Sequence, residues 1–244
     1  MPTASAPAIT TLSPVDIHVW HVSLDLTPSA VTDAARLLPQ AEREKTALVA
    51  GEAQRARLTL SRGLVRGILA GYLEKSAPEI AIRRSSRGKP FVIGEGDAPP
   101  LHFSVSHAGD HMLVCVTRSE DVGVDLERMT RVVDVERIAA RFFSPAEYEA
   151  LVALDRQERA DAFFRAWVRK EAVVKALGTG IASAFDAFAV PMGRDQTVEV
   201  DVGRVAQANR QRLWVHSLDV GRVDYLAAVA FGQPDANIRM LEWK

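Results

Sequence analysis

The sequence predicts an α+β fold, and three observations carry that reading. Helix-period stripes and alternating strand patterns are interspersed without the regular strand–helix–strand repeat of a parallel sheet. The two halves of the chain run through helices and strands in the same coarse order, which suits two similar lobes. The 244 residues match one large domain or two small ones, and 48% apolar against 25% charged residues supply a core without covalent staples.

Residues 1–15 are small and polar with several prolines and read as a disordered leader. Asp16–Leu24 alternates as a strand does. Thr27-Pro28 makes an N-cap and first-turn pair. Leu58, Leu60, Leu64, Val65, Ile68 and Leu69 recur near the helical period, predicting a helix over 53–73. Short strands are expected at 80–84 and 91–93, flanking a basic loop, Arg84–Pro90. Residues 101–106, 112–117 and 121–126 read as strands. Helices return at 133–141, 145–154 and 158–177, the last stopped by Gly178 and Gly180. The segment 187–231 is mostly strand-like, most clearly at 198–202, 213–217 and 225–230. A boundary near residue 119 gives an N-terminal lobe of residues 16–119 and a C-terminal lobe of residues 120–244.

A net charge of −1 argues against a field that draws nucleic acid. The single cysteine, Cys115, excludes an internal disulfide framework and a cysteine-rich zinc site. The opening MPTASAPAITTLSPVDIHVW has neither a basic n-region nor an apolar h-region, and no apolar run reaches the ~18 residues of a membrane span. A cytoplasmic protein without membrane or nucleic-acid partners is expected. Of 30 basic residues only six are lysine (45, 75, 89, 170, 175 and 244), which leaves 24 arginines. In such a chain lysine is most informative where a compact ammonium is wanted instead of a planar fork.

Four places have the residue types for chemistry. In Gly123–Glu127 (GVDLE), residues two apart share a strand face, so Asp125 and Glu127 point together as hard oxygen ligands while Val124 and Leu126 face the opposite layer. On the helix containing WVRKEAVVK, Trp167, Glu171 and Lys175 lie four apart on neighbouring turns. Lys170, about 100° round from Glu171, can aim into the same cleft. Ser106 and His107 close an alternating strand with donors suited to phosphate. Arg84, Arg87 and Lys89 surround Gly88 in a loop that makes an anion cradle but lacks the P-loop pattern. Taken singly, each patch also reads as a solvated charged surface or, for His107, a satisfied structural histidine.

Together the patches resemble the Sfp-type 4′-phosphopantetheinyl transferases. The resemblance runs in order through GKP at Gly88–Pro90, FSVSHAGD at Phe103–Asp110, VGVDLE at Val122–Glu127, FFSPAEYEAL at Phe142–Leu151 and WVRKEAVVKALGTGI at Trp167–Ile181. It covers roughly residues 41–181. It implies a pseudo-twofold monomer of two similar lobes with the active site in the cleft between them. Asp125, Glu127 and Glu171 match the family's Mg²⁺-binding acids, and Lys170 and Lys175 its phosphate-contacting lysines. Ser106, His107, Lys89 and neighbouring Arg84 match coenzyme A-binding positions. The segment Glu42–Lys45 resembles the part that grips the 3′-phosphate. Glu42 stands where some relatives carry lysine, which leaves Arg43 or Lys45 for that grip.

The implied reaction is Mg²⁺-dependent transfer of 4′-phosphopantetheine from coenzyme A to a serine of an acyl or peptidyl carrier protein, releasing adenosine 3′,5′-bisphosphate. Such carriers serve fatty acid, polyketide or nonribosomal peptide biosynthesis. Glu171 is then the candidate base, and Lys170 or Lys175 the group that stabilises the departing phosphate. Two rivals are a non-catalytic coenzyme A- or carrier-binding protein of the same fold and another Mg²⁺-dependent phosphotransferase. The C-terminal 60 residues carry no matching motif.

Overall fold

The computed structural model describes residues 12–73, 75–86, 88–94, 99–119, 122–129, 133–179, 185–205, 208 and 210–243. The chain opens with strand β1 (Asp16–Ser23), followed by helices α1 (Pro28–Arg36), α2 (Gln40–Ala47) and α3 (Glu52–Leu73) and a single 3₁₀ turn at Ala77–Glu79. Strands β2 (Ile82–Arg84), β3 (Pro90–Val92), β4 (Leu101–Ala108) and β5 (His111–Thr117) complete the first half. The second half repeats the order with β6 (Val122–Arg128), α4 (Val135–Phe142), α5 (Pro145–Ala153), α6 (Arg156–Leu177), β7 (Thr197–Asp201), β8 (Arg212–Leu218) and β9 (Tyr225–Phe231). A final strand, β10 (Asn237–Trp243), was not anticipated from the sequence.

Local chemistry sets the helix ends. The Thr27 side chain accepts from the Ala30 N–H with Pro28 in the first turn. Ser144 and Glu147 form a reciprocal capping box with Pro145 behind it. Gly178, at φ 72°, ends α6 in the left-handed region that glycine adopts without strain. Gly180 lies outside the described residues.

The strands form two sheets, ordered β10-β1-β5-β4-β3-β2 and β6-β9-β8-β7. The α+β expectation is met, with β1–β5–β4–β3 mirrored by β6–β9–β8–β7. The C-terminal lobe does not hold all of residues 120–244, however. β10 crosses back and pairs in parallel with β1, Asp16 opposite Asn237 through Val22 opposite Trp243. Sequence alternation could not assign β10 a partner, because no residue of it is fully buried and Asn237, Arg239 and Glu242 are exposed. The expected disordered leader of residues 1–15 does not hold for its last residues. Residues 1–11 are outside the described part, but Leu12 is buried and the Ser13 N–H donates to Asp16.

Strand alternation sorts the apolar side chains into layers. Ile17, Val19, Leu113 and Cys115 of the first sheet meet Val124, Leu126, Val229 and Phe231 of the second in a core between the sheets. Trp20, Val22, Val114 and Val116 face the other way and pack with Leu60, Ile68 and Leu69 of α3. Phe163, Val173, Val174 and Leu177 of α6 form the third core with Ala228 and Ala230. Among the described residues no helix is long and apolar enough to cross a membrane.

Candidate active site

The acids are assembled by one close approach. A Cβ on Gly123 would lie 2.1 Å from the Ala172 carbonyl oxygen and 2.4 Å from the Ala176 nitrogen. Only glycine lets β6 and α6 touch there, and two residues on along β6 the side chain of Asp125 meets α6. Lys175 Nζ donates to Asp125 Oδ1 at 2.7 Å, to Ser106 Oγ at 2.9 Å and to the Val124 carbonyl at 3.1 Å. The helical spacing therefore aims Lys175 across at the strand instead of at Glu171. One turn and two turns earlier, α6 presents Glu171 and Trp167, and Trp167 lies close enough to Glu127 to act on its carboxyl. The stripe read from the sequence does face the acidic strand.

Asp125 is 3% exposed, and its Oδ2 is buried without a hydrogen-bond partner. Its charge acts on both neighbours. Burial first, and Asp125 second, push the carboxyls of Glu127 and Glu171 up to about 7, against the pull of Lys175. Among the described residues no three carboxylate, imidazole or thiol groups stand as a preassembled metal site. What is present is a set of hard oxygen donors under mutual repulsion, one of them orphaned. That donor chemistry fits a hard divalent cation.

Beside the acids opens a cleft of about 930 Å³. Glu171 and Lys175 of α6, His107 of β4, Lys89, Arg84 and Lys45 all line it. Burial, and then the charges of Lys175 and Arg57, hold the His107 imidazole below its ordinary pKa. Lys89 is nearly buried and its ammonium donates to the Ala176 carbonyl of α6, while Arg84 closes its own loop on the Gly88 carbonyl at 2.7 Å. Arg87 is outside the described residues.

Three expected site residues stand elsewhere. Ser106 is behind the cleft wall, its hydroxyl taken by Asp125 and Lys175. Arg43 turns away and donates to the Leu38 carbonyl, so of the two candidates in that segment Lys45 is the one on the cleft. The largest departure is Lys170. It does not aim into the cleft with Glu171: it is fully buried, held by Glu147 at 2.8 and 3.0 Å and by the Phe188 carbonyl at 2.6 Å. The offset of about 100° from Glu171 turns it toward the α5 side of the helix.

Sequence reading also missed cleft residues. Leu58, Ser61, Arg62 and Val65 of α3 line it together, a helical face in which two polar residues interrupt an apolar stripe. That interruption was the available signal. Glu42 lines the cleft too, but it is tied to Arg66 at 2.6 Å.

The family model of the 4′-phosphopantetheinyl transferase superfamily matches residues 121–230, and that of the 4′-phosphopantetheinyl transferase N-terminal region matches residues 25–119. The 4′-phosphopantetheinyl transferase HetI of Nostoc is 36% identical over 176 residues, 72% of this chain and 74% of that protein. The chain belongs to the Sfp-type 4′-phosphopantetheinyl transferase family. The 4′-phosphopantetheinyl transferase Sfp of Bacillus subtilis is 33% identical over 60% of this chain and 62% of its own length. A vertebrate relative, the L-aminoadipate-semialdehyde dehydrogenase-phosphopantetheinyl transferase of Xenopus laevis, is 30% identical over 49% of this chain and 42% of its own. The two family matches together span the acidic strand, α6 and the cleft wall from α3 to β4.

Proposed function

We propose that the protein transfers 4′-phosphopantetheine from coenzyme A to a serine of an acyl or peptidyl carrier protein, releasing adenosine 3′,5′-bisphosphate, with Mg²⁺ held by Asp125, Glu127 and Glu171. The observation that carries this reading is the junction of opposites at Lys175. On one side lie three carboxyl groups with an orphaned oxygen, and on the other a cleft lined by Lys45, Arg62, Arg84, Lys89 and His107. Such a cleft suits a ligand with several phosphates whose reacting end is brought to a hard cation.

When bound, Mg²⁺ would supply charge neutralisation for the pyrophosphate. The chain's own residues do the rest. Lys45, Arg62 and Arg84 neutralise phosphates along the cleft, and the apolar walls of Leu58, Val65 and Phe103 contact the uncharged parts of the ligand. Glu171 lines the cleft one helical turn from Lys175 and is the carboxylate placed to act as the base. It takes the hydroxyl proton of the carrier serine as that oxygen attacks the phosphorus bearing pantetheine. The bond from that phosphorus to the adenylate-side oxygen breaks, and the departing phosphate keeps the electron pair. Lys175 lines the cleft beside the acids, and its positive charge offsets the charge on the leaving phosphate while its donors stay on Ser106, Asp125 and the Val124 carbonyl. The proposed transferase is a monomer whose single cleft takes residues from both lobes.

Incubating the protein with apo carrier protein, coenzyme A and Mg²⁺ and weighing the carrier tests the proposal. One added phosphopantetheine per carrier is expected. Binding of coenzyme A or carrier with no change in carrier mass would overturn it.

A further inference from the structure

The charge that the acidic strand shows to a ligand is set by a third residue. Ser106 Oγ donates to Asp125 Oδ1 at 2.8 Å and accepts from Lys175 Nζ at 2.9 Å. Asp125 Oδ1 therefore takes two hydrogen bonds, one from a hydroxyl and one from an ammonium. All three N–H bonds of Lys175 are used, on Ser106, Asp125 and the Val124 carbonyl. Ser106 is 6% exposed, so its hydroxyl has little room for a further partner from the cleft. Asp125 Oδ2, by contrast, is buried with no partner at all.

We infer that Ser106 is a positioning residue, whose hydroxyl locks the Asp125 carboxylate so that Oδ1 is spent inside the protein and Oδ2 alone is left for the divalent cation. The terminal torsion of an aspartate is broad and roughly two-fold, so without a second anchor the two oxygens can trade places on the ammonium. Ser106 supplies that anchor from β4, a strand of the other sheet. It also keeps Lys175 drawn back on the strand by giving the ammonium its third acceptor. The assignment differs from the phosphate contact that the sequence resemblance implied for Ser106, and it rests on the divalent-cation reading proposed above.

The test uses Mn²⁺ alone as the probe, titrated into the full-length protein without coenzyme A or carrier and followed by electron paramagnetic resonance. Ser106→Ala is expected to weaken Mn²⁺ binding by about 10–100-fold, the usual cost of losing a group that orients a metal ligand. Ser106→Thr keeps a hydroxyl and should restore most of the affinity. In the transfer assay at saturating Mg²⁺ the KM for coenzyme A should not change in either variant. If Ser106→Ala melts below the assay temperature, Ser106→Cys, close in size but a weak donor, takes its place with the same expectation. Unchanged Mn²⁺ affinity together with a raised KM for coenzyme A would overturn the inference and make Ser106 a phosphate contact. Absence of Mn²⁺ binding by the unmodified protein would instead sink the divalent-cation reading itself.

Discussion

The two lobes share a frame and use it differently. Each runs from a strand through two short helices into a 22-residue helix and then to further strands, four in the first lobe and three in the second, the last of which pairs with the opening strand. Each also has a glutamate at the third position of its second short helix, Glu42 in QAE and Glu147 in PAE. Each glutamate pairs with a buried cation on the long helix, Arg66 in one lobe and Lys170 in the other. Both cations then donate to loop carbonyls, Arg66 to Ala77 and Ile80 and Lys170 to Phe188. The difference lies in where the long helix rests. In the second lobe α6 is pressed against β6 at Gly123, which puts Glu171 and Lys175 on the acidic strand. In the first lobe α3 makes its closest approach to α1, at Gly63, where a Cβ would meet the Ala34 carbonyl oxygen at 2.3 Å. The face of α3 with Ser61 and Arg62 is left to line the cleft. One frame thus yields an acidic centre in one lobe and a cationic wall in the other, and Lys170 is the counterpart of a framework arginine.

Four measurements can break or sharpen that comparison. The largest effect is expected for Lys170→Met. Removing one partner of a buried pair strands Glu147, 3% exposed, and should cost about 3–5 kcal/mol in denaturant unfolding. A stable Lys170→Met protein that has lost transfer activity would instead return Lys170 to the chemistry. Arg66→Met should cost less, about 1–3 kcal/mol, because Glu42 is 30% exposed and can recover water while two loop carbonyls lose their donor. Equal costs in the two lobes would mean that exposure of the glutamate is not what separates them.

Lys175→Arg should lower kcat at least about tenfold, roughly 1.4 kcal/mol of barrier, in protein that stays folded at the assay temperature. A planar guanidinium cannot place three donors on Ser106, Val124 and Asp125 as the ammonium does. Full kcat would make Lys175 a framework cation like Lys170. The smallest effect concerns pH. Glu127 and Glu171 titrate at about 7 when folded, above the 4.5 of the free side chain. Folding therefore favours their protonated forms, and the stability they contribute is present below pH 4.5 and lost as pH rises through about 7. In chelator, Glu171→Gln should raise the melting temperature at pH 8 and change it little at pH 5. The same gain at both pH values would refute the electrostatic origin.

Much of this was legible in the sequence because it rests on local periodicity. The period of two put Asp125 and Glu127 on one face of β6, and the helical period put Trp167, Glu171 and Lys175 on the face of α6 that meets them. Lys170 departs from its expected place because a helix projection gives an angle and says nothing of which neighbour waits there. The mirrored glutamates escaped notice as well, since QAE and PAE are too short to stand out before two helices are laid side by side. The place of Ser106 at the end of an alternating strand suits a phosphate, so the sequence alone puts it on the cleft. Its actual partners come from β6 and α6, far away in sequence. The return of β10 to β1 is likewise a long-range pairing with no local signature.

That last pairing has a consequence for how the protein is made. On the ribosome the chain emerges from its first residue onward, and β1 finds β5 after roughly half of the chain has appeared. The other edge of β1 stays open through the whole synthesis of the second lobe, a row of unpaired amide and carbonyl groups of the kind that invites association with other chains. Only when residues 237–243 are released can β10 cover it, with Trp243 packing edge-on to Trp20 at 6.1 Å. A stop codon just before residue 237 would leave the second sheet and the acids of β6 and α6 intact. It would nonetheless yield a polypeptide whose first sheet is permanently unfinished, so the expected phenotype of such a truncation is insolubility.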